Sequence, residues 1–205
     1  MIDPLILIGC YALIGAGIKY IDQAFDTKVF SKPFAIFLAI PTGVLMSTLI
    51  VFDLPSATIF LAVVLGVAIT RKIDNIAFQL GVLTLILLPI LFQEMLEFLW
   101  LPFGVLVISG IIDEHGNDWS DRIRINNLLN HAKGRPNPEP VDIRFFSRFF
   151  STRMTMKLAV LVLVLTNFFS YVYFFAFLAF DIAYLLIEQY SFTKRVYRIS
   201  KPAVA

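Results

Sequence analysis

Ser56-Ala57-Thr58-Ile59-Phe60-Leu61-Ala62-Val63-Val64-Leu65-Gly66-Val67-Ala68-Ile69-Thr70 runs without a charge and then closes on Arg71-Lys72-Ile73-Asp74-Asn75. Leu61 to Leu65 is apolar at every position, whereas a membrane β-strand alternates apolar and polar residues. A helix satisfies its own backbone hydrogen bonds, as hydrocarbon requires. The stretch therefore reads as a membrane helix ending in a polar point. The closing triplet has two echoes, Ile21-Asp22-Gln23 and Ile112-Asp113-Glu114, each at the end of a long apolar run.

The composition extends that reading to the whole chain. Of 205 residues, 59% are hydrophobic and only 16% are charged, and the mean hydropathy is +0.81. Soluble domains carry about 25% charged residues. This much apolar surface must face lipid. The expectation is a single all-α transmembrane domain over residues 1–205, a polytopic bundle of about seven helices. The single cysteine, Cys10, has no intrachain partner. Met1-Ile2-Asp3-Pro4 has no basic stretch ahead of the apolar run, so the first segment reads as a membrane helix rather than a cleaved leader.

Segments are expected at about Pro4–Ile21, Pro33–Phe52 (kinked at Pro41 and Gly43), Ser56–Ile73, Ile76–Phe92 (with Pro89 inside) and Phe98–Ile112. The last apolar stretch, Met156–Ile187, would span roughly 48 Å as one helix, against a hydrocarbon core of ~30 Å. A break near Thr166-Asn167 is expected to divide it in two, the alternative being one long tilted helix. Residues 113–154 are the long polar segment, expected as an amphipathic cytoplasmic loop. Within it, Gly116 is expected to interrupt the helix, a short helix spans Asp121–Lys133, and Gly134 with the proline-rich 135–140 ends it. The run Arg144-Phe145-Phe146-Ser147-Arg148-Phe149-Phe150 suits a bilayer interface, with phosphate binding as a sharper option.

With this division all 17 Lys and Arg residues fall on one face. The other face carries only Asp3, Asp53, Glu94 and Glu97. The positive-inside rule places the N-terminus outside and the C-terminus in the cytoplasm, in what is expected to be the plasma membrane.

Asp22, Asp74 and Asp113 then end helices on the basic face, and Asp181 lies within the last apolar run with no partner near it in sequence. Acids at helix C-termini oppose the helix dipole. A charge inside a membrane helix costs at least ~2.5–3.5 kcal/mol unless paired or solvated. A cation would resolve both, and carboxylates converging on a basic face suit Mg²⁺ or another divalent cation holding a phosphate. Asp22, Asp26, Asp74 and Asp113 are the candidate metal ligands. Asp181 is the candidate catalytic base, and Arg71, Lys72, Asn75, Arg144 and Arg148 are candidates for substrate binding. The plainer readings are surface pairing of Asp22 and Asp26 with Lys19 and Lys28, pairing of Asp74 with Arg71 or Lys72, a turn role for Asp118, and an interhelical hydrogen bond for Asp181.

Asp22-x-x-x-Asp26 resembles a fragment of the Asp-rich signature of intramembrane prenyltransferases, Asn-Asp-x-x-Asp-x-x-x-Asp, although Asp113 to Asp118 is spaced differently. That resemblance implies a divalent cation and a polyprenyl substrate. The motifs of CDP-alcohol phosphotransferases, zinc metalloproteases, serine hydrolases, P-loop proteins and intramembrane aspartyl proteases are absent. Two functions follow as expectations. One is a cation-dependent enzyme acting on a phosphate-bearing lipid or polyprenyl at the cytoplasmic face. The other is a small cation or solute transporter or channel using Asp181. Membrane lipids are the expected partners, and nucleic acid is not.

Overall fold

A computed structural model gives the architecture, and it describes residues 2–73, 75–132 and 140–200. The helices are α1 (Pro4–Asp26), α2 (Lys32–Phe52), α3 (Leu54–Ile69), α4 (Ile76–Leu91), α5 (Trp100–Ala132), α6 (Val141–Ser151), α7 (Met154–Leu165) and α8 (Tyr171–Ser200), with one 3-10 turn at Gln93–Met95. Asp74, Gly134 and the linker at 135–139 lie outside the described residues. No strand occurs among those described.

By length and composition, α1, α2 and the Tyr171–Lys194 part of α8 suffice to cross a membrane, while α3, α4 and α7 are shorter apolar helices. Large apolar side chains such as Leu13, Phe37, Leu83, Leu165 and Leu186 stand exposed around the bundle. Such a surface suits a lipid surrounding, and the fold is consistent with a membrane helical bundle.

The helix starts follow local chemistry. Asp3 accepts from the Leu5 amide at 2.9 Å and precedes Pro4. Asp53 accepts from the Ser56 amide at 3.1 Å and precedes Pro55. Both place a carboxylate at the positive end of a helix, so two of the acids expected on a lysine-free face are caps. Asp53 also accepts from the Tyr173 hydroxyl at 2.7 Å, tying the α2–α3 turn to the start of α8. The expected break in the last apolar stretch is present: α7 stops at Leu165, and Asn167 adopts the left-handed conformation, φ 62°.

Other expectations change. α1 runs on to Asp26, and α5 continues without interruption from Trp100 to Ala132. Gly116 does not break α5. It is glycine because the Phe150 ring lies where a Cβ would stand. Asp113 is therefore in mid-helix, and the argument that it opposes a helix C-terminus falls away, whereas Asp22 stands one turn from the end of α1.

Packing pairs α1 with α8, α2 with α4, and α3 with α5. The closest approaches use glycine, as membrane helices often do. Gly15 meets the Phe180 backbone, and Gly43 meets Thr84 and the Gly81 carbonyl. The Ser47 hydroxyl adds a 2.7 Å hydrogen bond to the Leu85 carbonyl. Because α4 packs on α2 and α3 on α5, consecutive helices α3 and α4 make no more than glancing contact. The space between them is where the cavity described below lies.

These contacts separate two kinds of glycine. Gly43→Ala and Gly15→Ala force backbone apart and should each lower stability by about 1–3 kcal/mol. Gly81→Ala meets only Ala39 at 3.7 Å and should unfold with the wild type. Thermal unfolding in detergent checks the contrast.

Candidate functional site

A cavity of about 170 Å³ opens between the α1–α2–α4 side of the bundle and the α3–α5–α7 side, with α8 behind it. Its inner wall is apolar, formed by residues such as Met46, Val63, Val67, Val82, Leu85 and Phe177. Its other end is charged and carries Asp22, Lys72, Asp113, Glu114, Arg153 and Asp181, with Tyr184 among them. One space thus joins a hydrocarbon-like wall to a concentrated set of ions.

Each charge has an identifiable partner. Lys72, in the turn after α3, lies 2.7 Å from Glu114 Oε2 and donates to Asp118 at 2.8 Å. Burial opposes its charge, but Asp118 and Glu114 outweigh that and hold the ammonium above the usual lysine range. Glu114 Oε1 lies 3.0 Å from Arg153 Nη2. Glu114 Oε2 accepts no hydrogen bond from the described residues, so its approach to Lys72 is a charge contact without hydrogen-bond alignment. Arg153 also stacks on the Tyr184 ring, 5.0 Å from its centroid.

Asp113 takes a different partner. Its carboxylate accepts from the backbone amides of Thr155 at 3.0 Å and Met156 at 2.7 Å. These are first-turn amides of α7, and the residue at the α7 N-cap, Arg153, makes no capping hydrogen bond of its own. A side chain from α5 thus caps another helix and meets its positive end.

Asp181 is paired after all. Lys157, one turn into α7, donates to its Oδ2 at 2.6 Å, and both side chains are almost buried. Lys19 meets Asp22 at 2.9 Å, Glu188 at 3.7 Å and the Tyr184 hydroxyl at 3.2 Å. Beyond Asp181, Arg153 and Tyr184 lies a second recess of about 30 Å³, whose lining includes Lys19, Asn117, Ser151 and Glu188. It is polar and of the size of a single water.

Of the residues singled out from sequence, Asp22, Lys72, Asp113 and Asp181 line the one cavity. Asp26 is exposed one turn below Asp22, outside the lining. Arg71 is exposed with φ 58°, and Asn75 caps α4 by accepting from the Phe78 amide at 3.0 Å. Arg144 and Arg148 are exposed on α6, away from the cavity. Sequence reasoning missed Glu114, Arg153, Lys157 and Tyr184. Glu114 stood inside a quoted triplet, and Arg153 and Lys157 are the basic residues flanking the start of the Met156 run. Their pairing depends on α5, α7 and α8 meeting, which no local pattern reports.

Among the described residues no group of three or more His, Cys, Asp or Glu is disposed to hold a metal ion. The carboxylates point to lysine, arginine or helix amides instead. Even so, Asp22, Asp113, Glu114, Asp118, Asp181 and Glu188 outnumber Lys19, Lys72, Arg153 and Lys157 by two.

The buried pair gives a sharp prediction. Asp181→Leu leaves the Lys157 ammonium unpaired, and Lys157→Met strands the carboxylate. Each should cost about 3–5 kcal/mol, whereas the double variant should regain most of that. Unfolding of the three proteins in detergent measures the coupling. No family model, curated protein or solved structure matches this chain.

Proposed function

We propose that this is a plasma-membrane protein with seven transmembrane segments, its N-terminus outside, acting as an enzyme on a phosphate-bearing lipid or polyprenyl at the cytoplasmic face. The spans are α1, α2, α3, α4, the first part of α5, α7 and α8. The observation that carries the reading is the cavity with an apolar wall and a charged end. An amphipathic molecule matches both parts, its chain against Val63, Val67 and Val82 and its head among the ions. The gap between α3 and α4 supports entry from the bilayer rather than from water.

In this reading Lys72 and Arg153 meet the phosphate oxygens, exchanging part of their contact with Glu114 for the ligand. Asp181, poised on Lys157 beside the water-sized recess, is the group placed to move a proton. The excess of carboxylates supports a divalent cation entering with the phosphate, since an anionic head alone would meet net negative charge. Asp22 and Asp113 remain the described candidates for that cation, with Asp74 and Asp26 as further proposed ligands. Gathering of the charges at one end favours this reading over solute transport, whose sites usually lie near the midplane.

The test is thermal stability of the purified protein with farnesyl phosphate, farnesol or inorganic phosphate, each with and without Mg²⁺. A ligand that binds the folded state raises stability by mass action. Farnesyl phosphate should give the largest rise, increased by Mg²⁺ and lost in Gly81→Leu, which fills the cavity. Equal shifts with farnesol, or an undiminished shift in Gly81→Leu, would contradict the proposal.

A further inference from the structure

α6 carries two arginines that the cavity does not use. Its docked face is formed by Ser147 and Phe150. The Ser120 hydroxyl of α5 donates to the Ser147 carbonyl at 2.8 Å, and Phe150 lies over Gly116 and edge-on to Trp119. The opposite face holds Val141, Arg144, Phe145 and Arg148 at helical spacing, all exposed, with Phe146 exposed at its edge. Nothing in the described chain covers these apolar residues.

Two residues past its end, the chain turns through Thr152 and Arg153, the latter at φ 49°, directly into the apolar α7. That short link keeps α6 beside Gly116 and Ser120, one to two turns beyond Asp113. It also means that the seating of α6 sets where Arg153 reaches Glu114 and Tyr184.

We infer that the free face of α6 binds anionic phospholipid head groups of the surrounding leaflet, and that this binding holds Arg153 in the site. Charge complementarity selects the occupant: Arg144 and Arg148 have no ion-pair partner among the described residues, and Asp142 is the one acid in α6. Phenylalanines interleaved with arginines suit the level where phosphates meet acyl chains. The inference stands apart from the identity of the substrate, because it concerns a surface outside the cavity.

Trp119 is a built-in reporter, since Trp100 is the other tryptophan. The experiment uses the full chain carrying Trp100→Phe in detergent, titrated with short-chain phosphatidylglycerol or phosphatidylcholine. Trp119 emission should shift saturably with phosphatidylglycerol and little with phosphatidylcholine. Adding Arg144→Gln and Arg148→Gln should weaken half-saturation about tenfold or more, whereas Lys28→Gln with Lys32→Gln should leave it in place. Thermal stability should rise with phosphatidylglycerol in the Gly81→Leu background, where the cavity is filled, and this rise should shrink when Arg153→Ala is added while the emission shift remains. An equal response to both lipids would assign the face to another kind of partner and overturn the inference. So would an unchanged titration in the Arg144→Gln, Arg148→Gln variant.

Discussion

The bond from Asp113 to the first amides of α7 is the constraint on which the charged end of this bundle depends. A helix that begins inside a membrane protein presents amides that neither lipid nor distant water can satisfy. α7 begins with Arg153 in the left-handed region, and that N-cap residue supplies no side-chain cap. Asp113 supplies one from α5, and in doing so it fixes α5 against α7. Glu114, the next residue, then reaches both Arg153 and Lys72, while Lys157, one residue after Met156, comes into line with Asp181 on α8. One capped helix start therefore brings α3, α5, α7 and α8 into a single electrostatic unit.

Energetics explain why the unit holds together. Isolated charges at this depth cost several kcal/mol each, and every ion here is matched, though unevenly. Lys72 and Arg153 share Glu114, and Lys19 serves both Asp22 and Glu188. The unevenness leaves Glu114 Oε2 short of a hydrogen bond and carboxylates in excess beside an apolar cavity. An amphipathic ligand that carries phosphate together with a cation would relieve both.

Much of the fold was legible in the sequence because it rests on local rules. Apolar runs marked the helices, Pro4 and Pro33 lay at helix starts, and the excessive length of Met156–Ile187 pointed to the break seen at Asn167. Less of the site was legible. Asp22, Lys72, Asp113 and Asp181 were found because a charge beside hydrocarbon is conspicuous. Their partners were not, because Lys157 and Asp181 meet only when α7 folds back on α8. Gly116 misled for a related reason: locally it is a helix breaker, and only the Phe150 ring explains why a glycine stands inside α5. The two echoes of the triplet also concealed unlike roles, since Asp22 pairs with a lysine three residues earlier whereas Asp113 caps a neighbouring helix.

The central claim is that the divergence of α3 from α4 creates a seat for a membrane-dissolved ligand with a phosphate head. Photo-cross-linking tests it most directly, using a polyprenyl phosphate that carries a photoreactive group in its chain, with adducts mapped by peptide mass spectrometry. Adducts concentrated on Val63, Val67 and Val82, and competed away by unlabelled polyprenyl phosphate, are the expected result. Adducts spread evenly over outward-facing positions such as Leu13, Leu83 and Leu165, without competition, would contradict the account.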